Sequence, residues 1–279
     1  MSRVFTVAAP AKVNLFLHVT GRRADGYHLI ESLFAPIGIA DTLQVSDRSD
    51  GAIRCVAAIP GVRADDDLAG RAARALQVAS GTTHGVDYSI DKRIPTGAGL
   101  GGGSADAASM LLALNRLWSL GWSRNALAEL ALTLGADVPF FVGGTPALAR
   151  GIGEALCPVS LPTLWLVMIT PPVHVPTASI FAAPELTRCA PSAKITVFSA
   201  VYGRNDLEPV AAARFPEIAS ALAELRRVAP QARMSGSGGA VFAAFESERD
   251  ARAAWIALPA RCGAFMCRTL ARHPLHGFA

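Results

Sequence analysis

The segment Pro95 to Ala108, reading PTGAGLGGGSADAA, constrains this chain more than any other. It places glycines at 97, 99, 101, 102 and 103 directly ahead of a strongly helical stretch. Glycine lacks a Cβ and tolerates positive φ, so successive backbone N–H groups can turn toward one anion. Ser104 to Trp118 reads as the helix that follows, and its unpaired first-turn N–H groups and positive dipole end favour phosphate. A loop of this kind costs stability as ordinary structure, so a nucleotide-phosphate site is the leading reading. The alternative, a tight turn capping a buried helix, does not need five glycines in seven residues.

The common nucleotide loops fit poorly. Gly97, Gly99 and Gly102 make a literal G-x-G-x-x-G, but a dinucleotide fingerprint follows a buried strand and has an acid about 20 residues on. Here Lys92, Arg93 and Pro95 precede the loop, and the region around Leu117 and Trp118 carries neither Asp nor Glu. A Walker A loop ends Gly-Lys-Ser/Thr, whereas Ser104 follows Gly103. The H-R-D and D-F-G runs of a protein kinase do not occur.

At 279 residues the chain suits two modest domains, with the proline-rich stretch from Cys157 to Pro162 as the boundary. The division expected is 1–158 and 159–279. It is 51% apolar and only 17% charged, enough to build sizeable cores. The net charge of +4 is spread out rather than clustered, which suits anionic small molecules and falls short of a nucleic-acid footprint. The cysteines at 55, 157, 189, 262 and 267 form no C-x-x-C pair, so zinc and a disulfide framework are disfavoured and a reducing cytoplasm is expected. Val4 to Ala9 is too short for a signal peptide. The uncharged run from Ala155 to Pro184 is broken by Pro158, Pro162, Pro171, Pro172 and Pro176, leaving Leu164 to Ile169 as a buried strand and no membrane span.

Val13, Leu15 and Leu17 alternate with Asn14, Phe16 and His18, as a half-buried strand would. Val4 to Ala8, Thr42 to Val45 and Ile53 to Ala57 are further strand candidates. Helices are expected over Leu68 to Val78, with Asp65, Asp66 and Asp67 at its N-terminus, and over Arg124 to Leu134. Ala107, Met110, Leu111, Leu114, Leu117 and Trp118 form one apolar stripe. Beyond the boundary the pattern reads as a strand to Ile169, helices at Thr177 to Phe181 and Pro216 to Val228, a strand at Ala240 to Phe245, a helix at Glu248 to Ala257 and a strand at Gly263 to Thr269. The class is α+β.

Three more clusters are unusual for plain structure. Lys12 and Asn14 share one strand face and could clamp a substrate or phosphate. Asp137 lies between helix-ending Gly135 and the apolar Val138 to Phe141. A partly desolvated carboxylate there needs a cation such as Lys12, or a role; a helix cap is the plainer reading. Met234 to Gly239, MSGSGG, is a second small-residue loop, and two such loops suggest one molecule bound between them.

Taken in order, A-K-V-N-L at 11–15, P-T-G-A-G-L-G-G-G-S at 95–104 and S-G-S-G-G at 235–239 resemble the three motifs of the GHMP small-molecule kinases. Arg23 to His28 (RADGYH), Gly135 to Phe141 (GADVPFF) and the Val175 to Leu186 stretch narrow the resemblance to a branch that phosphorylates a cytidine-diphosphate-linked methylerythritol. The resemblance covers about residues 5 to 245. It implies ATP with Mg²⁺, a ribosomal protein S5 domain 2-like N-terminal domain, a ferredoxin-like C-terminal domain and a site between them. It further implies Asp137 as the base and Lys12 as its cationic neighbour; no side chain is singled out as a metal ligand, and the number and ligands of the magnesium ions stay open. Tyr27 and Phe181 would sandwich the cytosine, His28 would bond its edge, and Asn14 would help hold the substrate. Pro95, Gly97, Gly99, Leu100, Gly101, Gly102, Gly103 and Ser104 would wrap the ATP phosphates, with Lys92 near adenine. A small-molecule substrate is expected, without nucleic acid or membrane, and a homodimer is left open. Two positions depart from the family pattern: Ala105 where a second Ser is common, and Asp67 where an Asn is common, which puts an adenine contact in doubt. The rival readings are a family member acting on homoserine, mevalonate or a sugar, against which D-G-Y-H argues; a non-catalytic nucleotide-binding module, against which Lys12 and Asp137 argue; and a dinucleotide oxidoreductase.

Overall fold

The computed structural model describes residues 3–59, 63, 66–188, 190, 200 and 202–279; Cys189 and Asp65 lie outside them. Two sheets organise the described residues. The first has six strands: β1 (Val4–Arg22), β2 (His28–Arg48), β3 (Ile53–Cys55), β4 (Gly85–Asp91), β5 (Ala147–Arg150) and β6 (Ala155–Pro158). Its order is β3-β4-β2-β5-β6, with β1 paired antiparallel along the whole of β2. Four helices accompany it: α1 (Leu68–Ser80), α2 (Gly102–Leu117), α3 (Arg124–Leu132) and α4 (Val138–Gly143). The second sheet, in the order β10-β7-β9-β8, comprises β7 (Trp165–Ile169), β8 (Arg233–Met234), β9 (Val241–Phe245) and β10 (Phe265–Arg268). With it go α5 (Thr177–Phe181), α6 (Glu208–Arg214), α7 (Pro216–Val228) and α8 (Glu248–Ile256). This is the two-domain α+β arrangement.

Strand β1 departs from the half-buried expectation, because residues 9–19 are buried without exception. Val7 and Ala9 join the core beneath α1 and α2, while Ala11, Val13, Leu15 and Phe16 pack with Leu166, Met168 and Phe242 of the second sheet. A strand wedged between two cores has no wet face, so Asn14 and His18 are buried too. Register shifts at Pro10/Lys12, Asn14/Leu17 and Val19/Gly21 let so long a strand bend, and Pro10 sits at the first of them.

The second sheet is likewise covered on both sides. Leu166, Met168, Phe242 and Ala244 face β1, whereas Val167, Ile169, Val241 and Ala243 pack with Leu222, Leu225 and their neighbours on α7. Arg233, 3% exposed within the seam between the sheets, donates from Nε to Leu15 O at 2.6 Å. Its Nη2 also donates to Ala200 O, and its guanidinium lies 5.0 Å from the Phe242 ring centroid.

Most of the expected elements form, with shifted ends. Helix α2 begins at Gly102 rather than Ser104, and it is buried nearly all round instead of along one stripe. Helix α1 runs on to Gly81, whose φ of +67° ends it. Helix α3 stops at Leu132, where the Thr133 hydroxyl turns back to Leu130 O. The chain after Phe245, which carries no motif, completes the second sheet with β10 and then returns to the first half. There His273 N donates to Gly144 O, Arg124 Nη2 donates to His276 O, and Phe278 packs edge-on against Phe5. Among the described residues no helix is long and apolar enough to cross a membrane.

His273 is buried, accepts a hydrogen bond at Nδ1 from Leu275 N, and has its pKa pushed down to about 4, chiefly by burial. The unfolded chain therefore takes up a proton that the folded chain resists. Stability falls as pH drops from the ordinary histidine range toward about 4, by up to ~3 kcal/mol. In denaturant titrations across that range, His273→Asn flattens this limb of the profile; an unchanged slope would remove His273 as its source.

Candidate active site

The glycine loop is held from three sides. Lys12 N donates to Leu100 O at 3.0 Å, and Ala240 N donates to Ala98 O at 3.1 Å. The Asp41 carboxylate, on β2, accepts from Arg93 N at 2.6 Å and Ile94 N at 2.8 Å. Gly99 has φ of +75°, and a Cβ there would stand 2.9 Å from both N and Cα of Gly238. The two glycine loops thus meet backbone to backbone. Gly101, with φ of +73°, is the N-cap of α2 and makes no side-chain cap, and the first turn carries no acid. The N–H groups of Gly102, Gly103 and Ser104 precede the first intrahelical bond, Ala105 N to Gly101 O. This is an anion cradle with a positive dipole end.

Pro95, Gly97, Gly99, Leu100, Gly101, Gly102, Gly103 and Lys92 line one cleft with Ile59, Leu68 and Ile94; Ser104 is one residue beyond its wall. Lys92 is not free to move within it. Its ammonium lies between Asp41, at short range, and Asp106 Oδ2 at 2.7 Å. Asp106 and Asp41 escape a reading of the sequence because an Asp inside a helix and another inside a strand look like solvent-facing residues. Burial pushes the Asp106 carboxyl up to about 7, against the pull of Lys92, and its Oδ1 has no hydrogen-bond partner. Asp67 caps α1 through Ala69 N and also accepts from the Tyr88 hydroxyl, so both its oxygens are engaged.

Lys12 is 5% exposed. Its Nζ donates to Asn14 Oδ1, lies 3.6 Å from Asp137 Oδ2 and sits 4.8 Å from the Phe34 ring centroid. Its Cγ would be 3.3 Å from a Cβ on Gly101, which places the Lys12–Asp137 pair beside the cradle. Asp137 occupies the N-cap position of α4 without making a side-chain cap bond, and its side chain is 37% exposed. Its carboxylate is therefore available to a ligand. Asn14 is buried, with Nδ2 donating to Ser32 Oγ and its backbone N to Ser235 Oγ. It orients Lys12 and touches the third motif rather than lining either cleft.

Tyr27, His28 and Phe181 line a second cleft with Ile30, Ile152 and Thr177. The rings of His28 and Phe181 lie 5.2 Å apart at 32°, while Tyr27 is 61% exposed. Thr177 Oγ1 is 2.7 Å from Ser237 Oγ, so this cleft is tied to the loop that backs the glycine cradle. Burial first, then Arg188 and Arg22, lowers the His28 pKa and keeps its imidazole neutral near pH 7.

The arrangement defines a small-molecule kinase: an anion cradle, a lysine–carboxylate pair beside it and a separate aromatic cleft. Residues 67–145 match the family model for the GHMP kinases N terminal domain and residues 193–264 that for GHMP kinases C terminal. The chain belongs to the GHMP kinases. It is 54% identical over 278 residues to the 4-diphosphocytidyl-2-C-methyl-D-erythritol kinase of Thiobacillus denitrificans, covering 100% of this chain and 99% of that one. It is 52% identical to the enzyme of the same name from Cupriavidus metallidurans, covering 97% and 94%. A crystal structure of 4-(cytidine 5'-diphospho)-2C-methyl-D-erythritol kinase superposes with a TM-score of 0.83 at 39% identity, covering 95% of this chain and 99% of that one. Homoserine kinase from Cytophaga hutchinsonii shares the fold, with a TM-score of 0.68 at 17% identity.

The contact between loops makes a prediction. Gly99→Ala forces Gly238 away and strains a left-handed residue, and titration calorimetry with ADP shows at least about tenfold weaker binding. Gly143→Ala, whose Cβ meets nothing within 4 Å, leaves that affinity unchanged. Equal affinities in both variants would sink the cradle.

Proposed function

We propose that this chain transfers the γ-phosphate of ATP to the 2-hydroxyl of 4-diphosphocytidyl-2-C-methyl-D-erythritol, in the non-mevalonate route to isoprenoid precursors. The observation that carries the chemistry is the Lys12–Asp137 pair at 3.6 Å beside the glycine cradle. The substrate follows from the relatives' names together with the aromatic cleft around Tyr27, His28 and Phe181.

In this reading residues 1–158 bind ATP and carry the catalytic groups, and the ferredoxin-like residues 159–279 complete the cleft. Backbone N–H groups from Gly97 to Ser104 hold the phosphates. Asp137 accepts the proton of the acceptor hydroxyl as its oxygen bonds to the γ-phosphorus, and the bond from that phosphorus to the ADP oxygen breaks. Lys12, 3.6 Å from Asp137, offsets charge on the transferring group, where positioning and neutralisation supply most of the rate. Tyr27 and Phe181 stack on the cytosine and His28 bonds its edge. Mg²⁺ suits this site as the companion of ATP, since it needs only one or two carboxylates beside phosphates and water; Asp137 and Asp106, with its unpartnered Oδ1, are at hand, and the ion would neutralise phosphate charge. Both clefts come from one chain, so monomer and homodimer are equally compatible with the chemistry. We place the enzyme in the cytoplasm.

Asp137→Asn lowers kcat by ~10²–10⁴-fold with ADP and CDP affinities preserved, as expected for loss of a general base. A coupled ADP-release assay with calorimetry checks both halves, and unimpaired turnover would overturn the base assignment. Tyr27→Ala and Phe181→Ala each weaken CDP binding by ~1–3 kcal/mol. If neither variant shifts the dissociation constant, the cytosine does not lie in this cleft.

A further inference from the structure

We infer that Arg188 is a positioning residue that sets the proton tautomer of His28, and through it the preference of the second cleft for cytosine over uracil. The inference rests on the cytidine reading above and adds a residue to it.

Arg188 is wired on every side. Its Nη2 donates to Ala183 O at 2.6 Å, and its Nη1 donates to Leu186 O at 3.1 Å and to Pro184 O at 3.4 Å. These carbonyls follow α5, the helix that carries Phe181. Its Nε donates to His28 Nε2 at 3.0 Å. A guanidinium has no acceptor and does not lose its proton, so Nε2 must offer a lone pair. In a neutral imidazole the proton then resides on Nδ1. No hydrogen-bond partner to Nδ1 is recorded among the described residues, while the ring packs on Phe181 and lines the cleft.

The consequence is a donor held toward the base. Cytosine presents an acceptor at N3, whereas uracil presents N3–H; a fixed Nδ1–H matches the first and opposes the second. Without Arg188 the imidazole is free to carry its proton on Nε2, turning a lone pair toward the base. The charged groups around the ring are Arg188, Arg22 and, in the adjoining turn, Asp25, which pairs with Arg23.

The test uses the full chain with CDP and UDP as calorimetric probes at about pH 8 and at a lower pH, beneath the lowered pKa of His28, at which its ¹H–¹⁵N spectrum shows imidazolium. The wild type prefers CDP at both. Arg188→Met loses about tenfold in CDP affinity at the higher pH and most of its discrimination against UDP. It regains CDP affinity at the lower pH, where imidazolium carries a proton on Nδ1 whatever its neighbour. Arg188→Lys, which can still donate to Nε2, keeps most of the preference. Long-range ¹H–¹⁵N spectra of His28 report Nδ1–H in the wild type and a shift toward Nε2–H in Arg188→Met. An unchanged tautomer, or a CDP loss that acid does not reverse, overturns the role of Arg188. A wild type without preference for CDP sinks the cytidine reading itself.

Discussion

The backbone of Gly99 lies against the backbone of Gly238, and the site depends on that contact. One loop leads into α2 from the first half of the chain, and the other leads into β9 from the second. No side chain fits between them, since even a methyl group would stand within 3.0 Å of backbone atoms. Removing side chains from both loops lets N–H groups be presented at the seam while Ala240 N to Ala98 O stitches it. The cradle is therefore a property of two loops, each of which is strained or featureless alone.

Strand β1 carries the polar groups that make this seam reactive. It is buried on both faces, so each polar side chain on it must find a partner or cost free energy. Lys12 finds Asn14 and Asp137, Asn14 finds Ser32 and Ser235, and Ser32 returns to Phe16 O. The chain of bonds orients the ammonium without consuming the partly exposed Asp137 carboxylate. A parallel device lies under the cradle, where Lys92 is clamped between Asp41 and Asp106 and Asp41 also fixes the loop entry. Positive charge is thus held in place on two sides of the glycine cradle by the buried Asn14, Asp41 and Asp106.

Local elements were legible where their signals are local. Pro216 opens α7 and Ser247 caps α8, and both helices form where the pattern puts them. The strands at Leu164 and Ala240 read as apolar runs and form β7 and β9 within a residue. The short strands β5, β6 and β8 and helix α6 carry no periodicity long enough to recognise. Strand β1 misled because alternation signals one wet face, and this strand has none. Of the site, the glycine loop, Lys12 and Asp137 stood out as residues expensive without a role. Asp41, Asp106 and Arg188 did not, because each acts through a neighbour more than ten residues away in the chain.

What the sequence alone determined is the inventory: side-chain-free loops that can present amide hydrogens, a lysine and a carboxylate that burial would make costly, aromatic residues near a DGYH turn, and two α+β halves. These follow from residue chemistry and local backbone preference. Tertiary structure decided which of them meet. The packing of the second sheet on β1 brings position 238 against position 99, while packing within the first half sets Lys12 beside Asp137 and the tail returns to α3. Contacts between distant residues depend on how two cores share one strand, and no local propensity encodes that distance.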